Sequence, residues 1–473
     1  MESTSIAGSA VMPVQAKRND RAGPSWTAGS RPSMQYHDHD GSHYLTYPDA
    51  ARLATGDGPA ALTRALVERS PDAPLALHVR LPFCRQACRF CASQRVPSRD
   101  SRQAEPYLTR LDREMVLVSR LLGRLPAVQR LHWGGGAPAF LSLDQMGDLF
   151  DRLDARFGLS GARGRDFSIE IDPREADVFT LRHLQALGFN RLSLGVQELD
   201  LRVQKAINRV QPRVLTESLV DEAERLGFHS LNLDLIVGLP LQTPHGFGET
   251  LEQVIAMTPA RITLRRYAHL PERYRPQREI DAEDLPDTAT RLAILEAARE
   301  RLDDAGYVHI GLGQFARPDD SLAQALGEGR LARDLQGYTH YPPGDQLGLG
   351  VAALSRVGDT LARNALSLAD YETALDASQL PASAAYRLDA AERLRRDAIE
   401  TLACRRELDL AALSQAHGLD AGAALAGALE RLAPFCRAGL LERHGERLRV
   451  TPDGLWGLTH LLAAFDPEAT PVA

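Results

Sequence analysis

What this 473-residue chain lacks narrows its class. It has only five cysteines, too few and too unevenly spaced for the disulfide framework of a small secreted domain. It has no run of about 18 apolar residues, so no membrane-spanning helix is expected. Its first 32 residues lack the apolar stretch of a secretion signal and are rich in Ser, Gly, Pro and Ala, which predicts a disordered tail over 1–35. Nor is there an excess of positive charge. Lys and Arg together number 55 against 62 Asp and Glu, a net charge of −7, so affinity for nucleic acid or an anionic membrane surface is not expected. These absences point to a soluble protein of a reducing cytoplasm. The hydrophobic fraction, 44%, and the charged fraction, 25%, are those of globular domains, and the length allows two or three of them.

Three of the five cysteines fall within the stretch Leu81-Pro-Phe-Cys-Arg-Gln-Ala-Cys-Arg-Phe-Cys-Ala-Ser93. Cys84, Cys88 and Cys91 stand at C-x3-C-x2-C spacing. Three thiolates on one loop can hold three irons of a [4Fe–4S] cluster, whose full complement is four, leaving one iron open to a non-protein ligand. A zinc site is the alternative, but it takes four ligands in paired C-x2-C form and no fourth lies nearby. Cys404 and Cys436 fall in a helical region and read as buried small hydrophobes. His37 and His39, flanked by Asp38 and Asp40, read as a solvated segment.

Hydrophobic periodicity organises the rest. Strands are expected at 75–81, 128–133, 167–172, 189–194, 230–237 and 261–267. Helices are expected at 50–70, 106–122, 142–157 (Ser142 as N-cap with Gln145 three residues on), 175–187, 213–226 and 245–257. A long helix and short strand follow over 286–313. Strands alternating with helices imply βαβ units and a parallel sheet, here an α/β fold of (β/α) partial-barrel type with about six units. Its site then lies at the carboxyl ends of the strands. That is where the cysteine loop, Gly134–Gly136, Glu170, Asp172, Gln197 and Asp234 fall. The expected division is a tail (1–35), an N-terminal extension (36–72), the barrel core (73–313), a substrate-covering segment of loops (314–385) and a C-terminal helical domain (386–473). The hairpin around His444-Gly445 gives that last domain a winged-helix-like character, as a lid or packing unit.

Cys84-x3-Cys88-x2-Cys91, with the aromatic Phe90 before the last cysteine, resembles the signature of radical S-adenosylmethionine (SAM) enzymes. The resemblance narrows with His132-Trp-Gly-Gly-Gly-Ala-Pro138, Ser168-Ile-Glu-Ile-Asp-Pro-Arg-Glu175, Gly188-Phe-Asn-Arg-Leu-Ser-Leu-Gly-Val-Gln197 and Asp234-Leu-Ile-Val-Gly-Leu-Pro240. Tyr267-Ala-His-Leu-Pro271, Phe315-Ala-Arg-Pro-Asp-Asp320 and Gln336-Gly-Tyr-Thr339 complete it. From about Tyr44 to the C-terminus the chain is similar to the oxygen-independent coproporphyrinogen III oxidase (dehydrogenase) family.

The resemblance implies a [4Fe–4S] cluster on Cys84, Cys88 and Cys91 and two SAM molecules. The SAM contacts it implies are His78, Phe90, Gly135, Gly136, Ala137, Glu170, Gln197, Arg209, Asp234, Ala268, Gln336 and Leu354, with His78 and Glu170 as catalytic residues. It implies that a 5′-deoxyadenosyl radical takes hydrogen from a substrate propionate, and that loss of CO2 and one electron then leaves a vinyl group. Run twice, this turns coproporphyrinogen III into protoporphyrinogen IX. The implied partners are this tetrapyrrole and a flavodoxin- or ferredoxin-like one-electron reductant, with the enzyme a monomer. Arg265, Arg266 and Arg317 are candidates to meet the substrate carboxylates.

The chain departs from the family pattern at His78 (a Tyr in the family), Arg80 (a His), Ser93 (a Cys) and Val237 (often aromatic). His78 and Ser93 keep open a related radical SAM enzyme acting on another substrate. A heme-binding or heme-trafficking protein of the same superfamily is the third reading. The long C-terminal module and the Gln336 region favour the dehydrogenase.

Overall fold

The computed structural model describes residues 47–469 except 50–52, 56, 94, 125, 127 and 162–163. The tail, His37 and His39 lie outside the described residues.

Strands that alternate apolar and polar residues turn one face to covering helices and the other inward. Six do so in chain order: β1 (Leu75–Leu81), β2 (Val128–Gly135), β3 (Asp166–Ile171), β4 (Arg191–Gln197), β5 (Ser230–Val237) and β6 (Arg261–Arg266). Each is parallel to the one before it. Leu77, Val79, Leu131, Trp133, Ile169, Leu192, Leu194, Leu233 and Ile262 are fully buried in one core. Helices Glu105–Leu122, Leu143–Phe157, Val178–Ala186, Arg213–Arg225, Pro244–Ala256 and Thr288–Asp304 share it.

The inward faces are polar at three heights. Near the strand starts, Arg191 pairs with Asp166, and Arg261 Nε lies 2.9 Å from Asp320 Oδ2. At mid-height His132 Nδ1 meets Ser168 Oγ at 2.8 Å, Asn232 Nδ2 donates to Ser193 Oγ at 2.8 Å, and Thr263 Oγ1 donates to Asn232 Oδ1 at 2.8 Å. His78, Glu170, Gln197 and Asp234 follow toward the carboxyl ends. A closed barrel packs this space with Val, Ile and Leu, whereas a polar lining suits a cleft that takes in a polar ligand.

The segment 314–385, expected as covering loops, instead builds sheet. After β7 (Val308–Gly311) and β8 (Gln314–Ala316) come β9 (Asp345–Leu349), β10 (Leu354–Val357), β11 (Thr360–Asn364) and β12 (Ala382–Arg387). β9 lies parallel to β1 on the side away from β2, making a seventh parallel strand, and β10, β11 and β12 continue antiparallel from it. The reason is backbone satisfaction: without β9, the buried β1 would leave one edge of N–H and C=O groups unpaired. At the other end β8 and β7 add antiparallel to β6.

Two helix starts also differ from expectation. The helix expected at 50–70 runs Gly58–Glu68, and Ala54–Thr55 pairs with Ala384 and Ala385 as a strand. The helix expected from 175 starts at Val178, because Asp177 caps it by accepting from the Thr180 N–H. Ser142 and Gln145 do form the reciprocal capping box that their spacing predicts.

A second core runs from Leu388 to Phe465. It holds helices Ala390–Arg405, Leu410–His417 and Ala426–Arg437 beside the hairpin Leu441–His444 and Arg447–Val450, which Glu407–Asp409 joins as a third strand. Cys404 is buried as expected, whereas Cys436 is only partly so. Among the described residues no helix is long and apolar enough to cross a membrane.

Candidate active site

The cysteine loop leaves β1 at its carboxyl end and is fastened on every side by backbone bonds. Gly136 N–H donates to Leu81 O and Ala137 N–H to Phe83 O, both at 2.7 Å. Arg89 N–H donates to Ile207 O at 3.0 Å, and Asn208 Nδ2 to Ala87 O at 3.1 Å. Gln277 Nε2 holds the Phe90 carbonyl at 3.1 Å, and the Arg85 N–H donates to Glu175 Oε1 at 2.7 Å. Glu175 is thereby used as a loop anchor. Cys84, Cys88 and Cys91 are 0%, 1% and 4% exposed, so the thiols are shielded from water.

Gly136 shows why the glycine run is there. A Cβ at this position would stand 2.5 Å from the Leu81 carbonyl oxygen and closer still to that of Phe83, both backbone atoms. The glycine serves close packing against the entry to the cysteine loop, and its N–H, like that of Ala137, is already engaged there. Gly136→Ala is therefore expected to cost at least the ~1–3 kcal/mol of overpacking. It should lower the thermal midpoint and reduce iron bound per chain, measured by scanning calorimetry and iron analysis; an unchanged midpoint with full iron would refute this.

Cations gather at the thiols. Arg174 Nη2 lies 3.2 Å and Arg209 Nη1 3.5 Å from Cys88 Sγ, and the half-buried Arg95 acts electrostatically on all three cysteines. Burial pushes the Cys84 thiol up to about 11, with Arg95 opposing it. Three shielded thiols ringed by guanidinium groups fit a cluster that needs them as thiolates.

Beside this ring the strand ends present polar groups to the cleft. Glu170 lies deep in the molecule yet faces open space, its side chain 42% exposed. Burial would raise its carboxyl pKa, but the hydrogen bond and charge of His132, the charge of Arg265 and the Gly135 N–H together hold it well below the usual range. The Gly135 bond measures 3.2 Å. Asp234 accepts from Ser193 Oγ at 2.7 Å and from Arg265 Nε at 3.2 Å. Gln197 sits at φ +67° beyond a register shift in β4, a left-handed conformation that re-aims the side chain. Its Oε1 is buried with no hydrogen-bond partner. An unpaired buried acceptor at the end of a strand is costly unless a ligand supplies the donor, so it fits a bound polar molecule such as SAM.

His78 is 8% exposed, and burial first, then His132 and Arg80, lower its pKa well below normal. The ring is neutral, and Gln336 Nε2 meets its Nδ1 at 2.9 Å. The structure thus brings His78, Gly135, Gly136, Ala137, Glu170, Gln197, Arg209, Asp234 and Gln336 around one cleft beside the cysteines. Phe90 packs on the loop's inner side with Val203, Ile207, Ile236, Leu239 and Tyr267. Ala268 follows the end of β6, and Leu354 begins β10, half-buried against Leu361 and Ala384. Of the three candidate arginines only Arg265 faces the cleft. Arg266 Nη2 donates to the Trp456 carbonyl of the C-terminal module at 3.2 Å. Arg317 follows Ala316, which pairs with Arg261 at the start of β6, so it lies at the opposite end from the site. Sequence reasoning passed over His132, Arg95, Asp172 as an ion-pair partner and Arg174. The alternation Ser168-Ile-Glu-Ile-Asp172 was the available signal for inward-facing groups.

A partly wound parallel sheet with a three-cysteine loop at its mouth defines a radical SAM protein, and the Radical SAM superfamily model matches residues 79–254. The HemN C-terminal domain model matches residues 388–456. The oxygen-independent coproporphyrinogen III oxidase of Pseudomonas aeruginosa is 41% identical over 92% of this chain and 94% of its own length. That of Escherichia coli is 38% identical over the same shares. The solved structure of the Escherichia coli coproporphyrinogen III oxidase (HemN), a radical SAM enzyme, superposes with TM-score 0.85 and 38% identity, covering 90% of this chain and 97% of that one. The chain belongs to the oxygen-independent coproporphyrinogen III oxidase family.

Proposed function

We propose that this enzyme oxidatively decarboxylates two propionate side chains of coproporphyrinogen III to vinyl groups, giving protoporphyrinogen IX in heme biosynthesis. The observation that carries the reading is the convergence, on one polar cleft, of three shielded thiols, the ionised Glu170 and the unpaired Gln197 Oε1, in a chain that matches a relative over 92% of its length. Each turn removes one hydrogen atom, one electron and CO2 from a propionate, leaving the vinyl group.

Cys84, Cys88 and Cys91 would hold the cluster. Bound together, cluster and SAM supply a carbon radical able to take hydrogen from an unactivated C–H bond. The chain's own residues bind and orient. Glu170 and Asp234 would suit the ammonium and ribose hydroxyls of SAM, Gln197 Oε1 would accept a hydrogen bond from it, and Arg209 would suit a carboxylate. Gly135, Gly136 and Ala137 would let the backbone approach the methionine end closely, and Phe90 would contribute an apolar contact. Gln336 would contact a second SAM, and Ala268 and Leu354 would give apolar contacts around the bound SAM molecules. His78 is a neutral imidazole where the family has a phenol, so it can donate or accept a hydrogen bond beside the substrate without adding charge. Arg265, 55% exposed in the cleft, would meet a substrate carboxylate.

The enzyme would work in the cytoplasm as a monomer with an acidic one-electron carrier. Around the loop Arg85, Arg99, Lys205 and Arg278 are exposed and have no ion-pair partner among the described residues. Electrostatic steering of that kind is screened by salt. Reduction of the cluster by flavodoxin hydroquinone should slow severalfold between low and physiological ionic strength, and Lys205→Glu should slow it again. Reduction by a cationic viologen should show the opposite trend; a salt-independent flavodoxin rate would refute steering by these four cations.

The deciding experiment is anaerobic. Reconstituted enzyme with SAM, reductant and coproporphyrinogen III should form 5′-deoxyadenosine and a divinyl product. His78 and Ser93 favour a second reading, a related radical SAM enzyme with another substrate. Deoxyadenosine without the divinyl product would support that reading against the first.

A further inference from the structure

Asp172 and Arg174, which follow Glu170 at the end of β3, form a buried unit directly against the cysteine loop. Their side chains are 7% and 9% exposed. Arg174 donates from Nε to Asp172 Oδ1 at 3.0 Å and from Nη2 to Asp172 Oδ2 at 2.7 Å. Its Nη1 meets Gln86 Oε1 at 3.2 Å, and Nη2 also reaches Cys88 Sγ at 3.2 Å. Asp172 Oδ2 takes a further bond from Arg209 Nη1 at 2.6 Å.

We propose that Arg174, aligned by Asp172, is a positioning residue that sets the reduction potential of the cluster through the Cys88 sulfur. A bidentate carboxylate fixes the plane of a guanidinium group, and here the fixed plane brings an N–H to a ligating sulfur. A hydrogen bond and a positive charge at that sulfur favour the more negative, reduced cluster, so they raise its potential. The three sulfurs are not equivalent in this respect. Cys91 Sγ has the Ser93 backbone N–H at 3.3 Å, which no side-chain substitution removes. Arg209 is also tied to the Gly195 carbonyl and is matched to SAM, so its loss would mix two effects. Arg174 is a donor to the Cys88 sulfur that can be changed without touching a residue matched to SAM, whereas Arg95 serves Cys84.

The inference rests on the three cysteines as cluster ligands. The test is a redox titration of reconstituted enzyme without SAM, followed by electron paramagnetic resonance, for wild type, Arg174→Gln and Arg174→Lys. Arg174→Gln should make reduction roughly tenfold less favourable, a shift of about −59 mV for one electron. Arg174→Lys keeps the charge but not the fork, and should shift less in the same direction. Equal iron and sulfide content with an unchanged or more positive potential would overturn the proposal. So would loss of the cluster in both variants, which would make Arg174 a loop scaffold. If only Arg174→Gln loses it, the potential of Arg174→Lys decides. A wild-type protein with no [4Fe–4S] signal would instead overturn the ligand assignment itself.

Discussion

Cys88→Ala yields a folded protein that cannot retain its iron–sulfur cluster: this is the largest single-residue effect expected in the molecule. Cys88 is buried at the centre of the loop with two guanidinium groups at its sulfur. Trading a thiol for a methyl group removes little apolar volume, so the stability loss should stay near ~1 kcal/mol. The brown absorbance and the formation of 5′-deoxyadenosine should both disappear. Cys404→Ala, in a small cluster beside Tyr338, serves as the control and should keep both. An unaltered iron–sulfur spectrum in Cys88→Ala would refute the ligand assignment.

Glu170→Gln should separate cluster from cosubstrate. The substitution keeps the shape and an acceptor for the Gly135 N–H, but removes the charge that His132 and Arg265 help to hold. Hydrogen bonds to charged groups are worth about 1.5–3 kcal/mol, so SAM should bind roughly 10- to 150-fold more weakly. Iron content and the thermal midpoint should stay near wild type. Equilibrium binding of SAM to the reconstituted enzyme reads this directly, and an unchanged affinity would remove Glu170 from the SAM site.

The barrel and much of its cleft were legible because two signals coincide in this chain. The strands largely alternate at period two, and three of them carry toward their carboxyl halves a residue whose chemistry is out of place in a core: Glu170, Gln197 and Asp234. Local capping chemistry was equally legible at Ser142 and Gln145. Pairings remote in sequence were not. Nothing near residues 345–349 announces that they lie beside Leu75–Leu81, since short Gly-containing alternations read as loops when their partner is unknown. The start of the helix at Val178 was missed because Glu175, a good helix former, is held by the Arg85 N–H instead. Arg266 and Arg317 do not face the cleft for a geometric reason: Arg266 is turned toward Trp456, and Arg317 follows β8 beside the start of β6, at the opposite end from the site.

The late arrival of β9 bears on how the protein is made. The strand carrying the cysteines acquires its second neighbour only when residues 345–349 have been synthesised, and Gln336, which reaches His78, belongs to the same late stretch. A nascent chain therefore presents its three thiols on a sheet with one bare edge, the kind of edge that recruits stray strands. A chain halted before residue 345 would carry the three ligands after a strand with one edge unpaired.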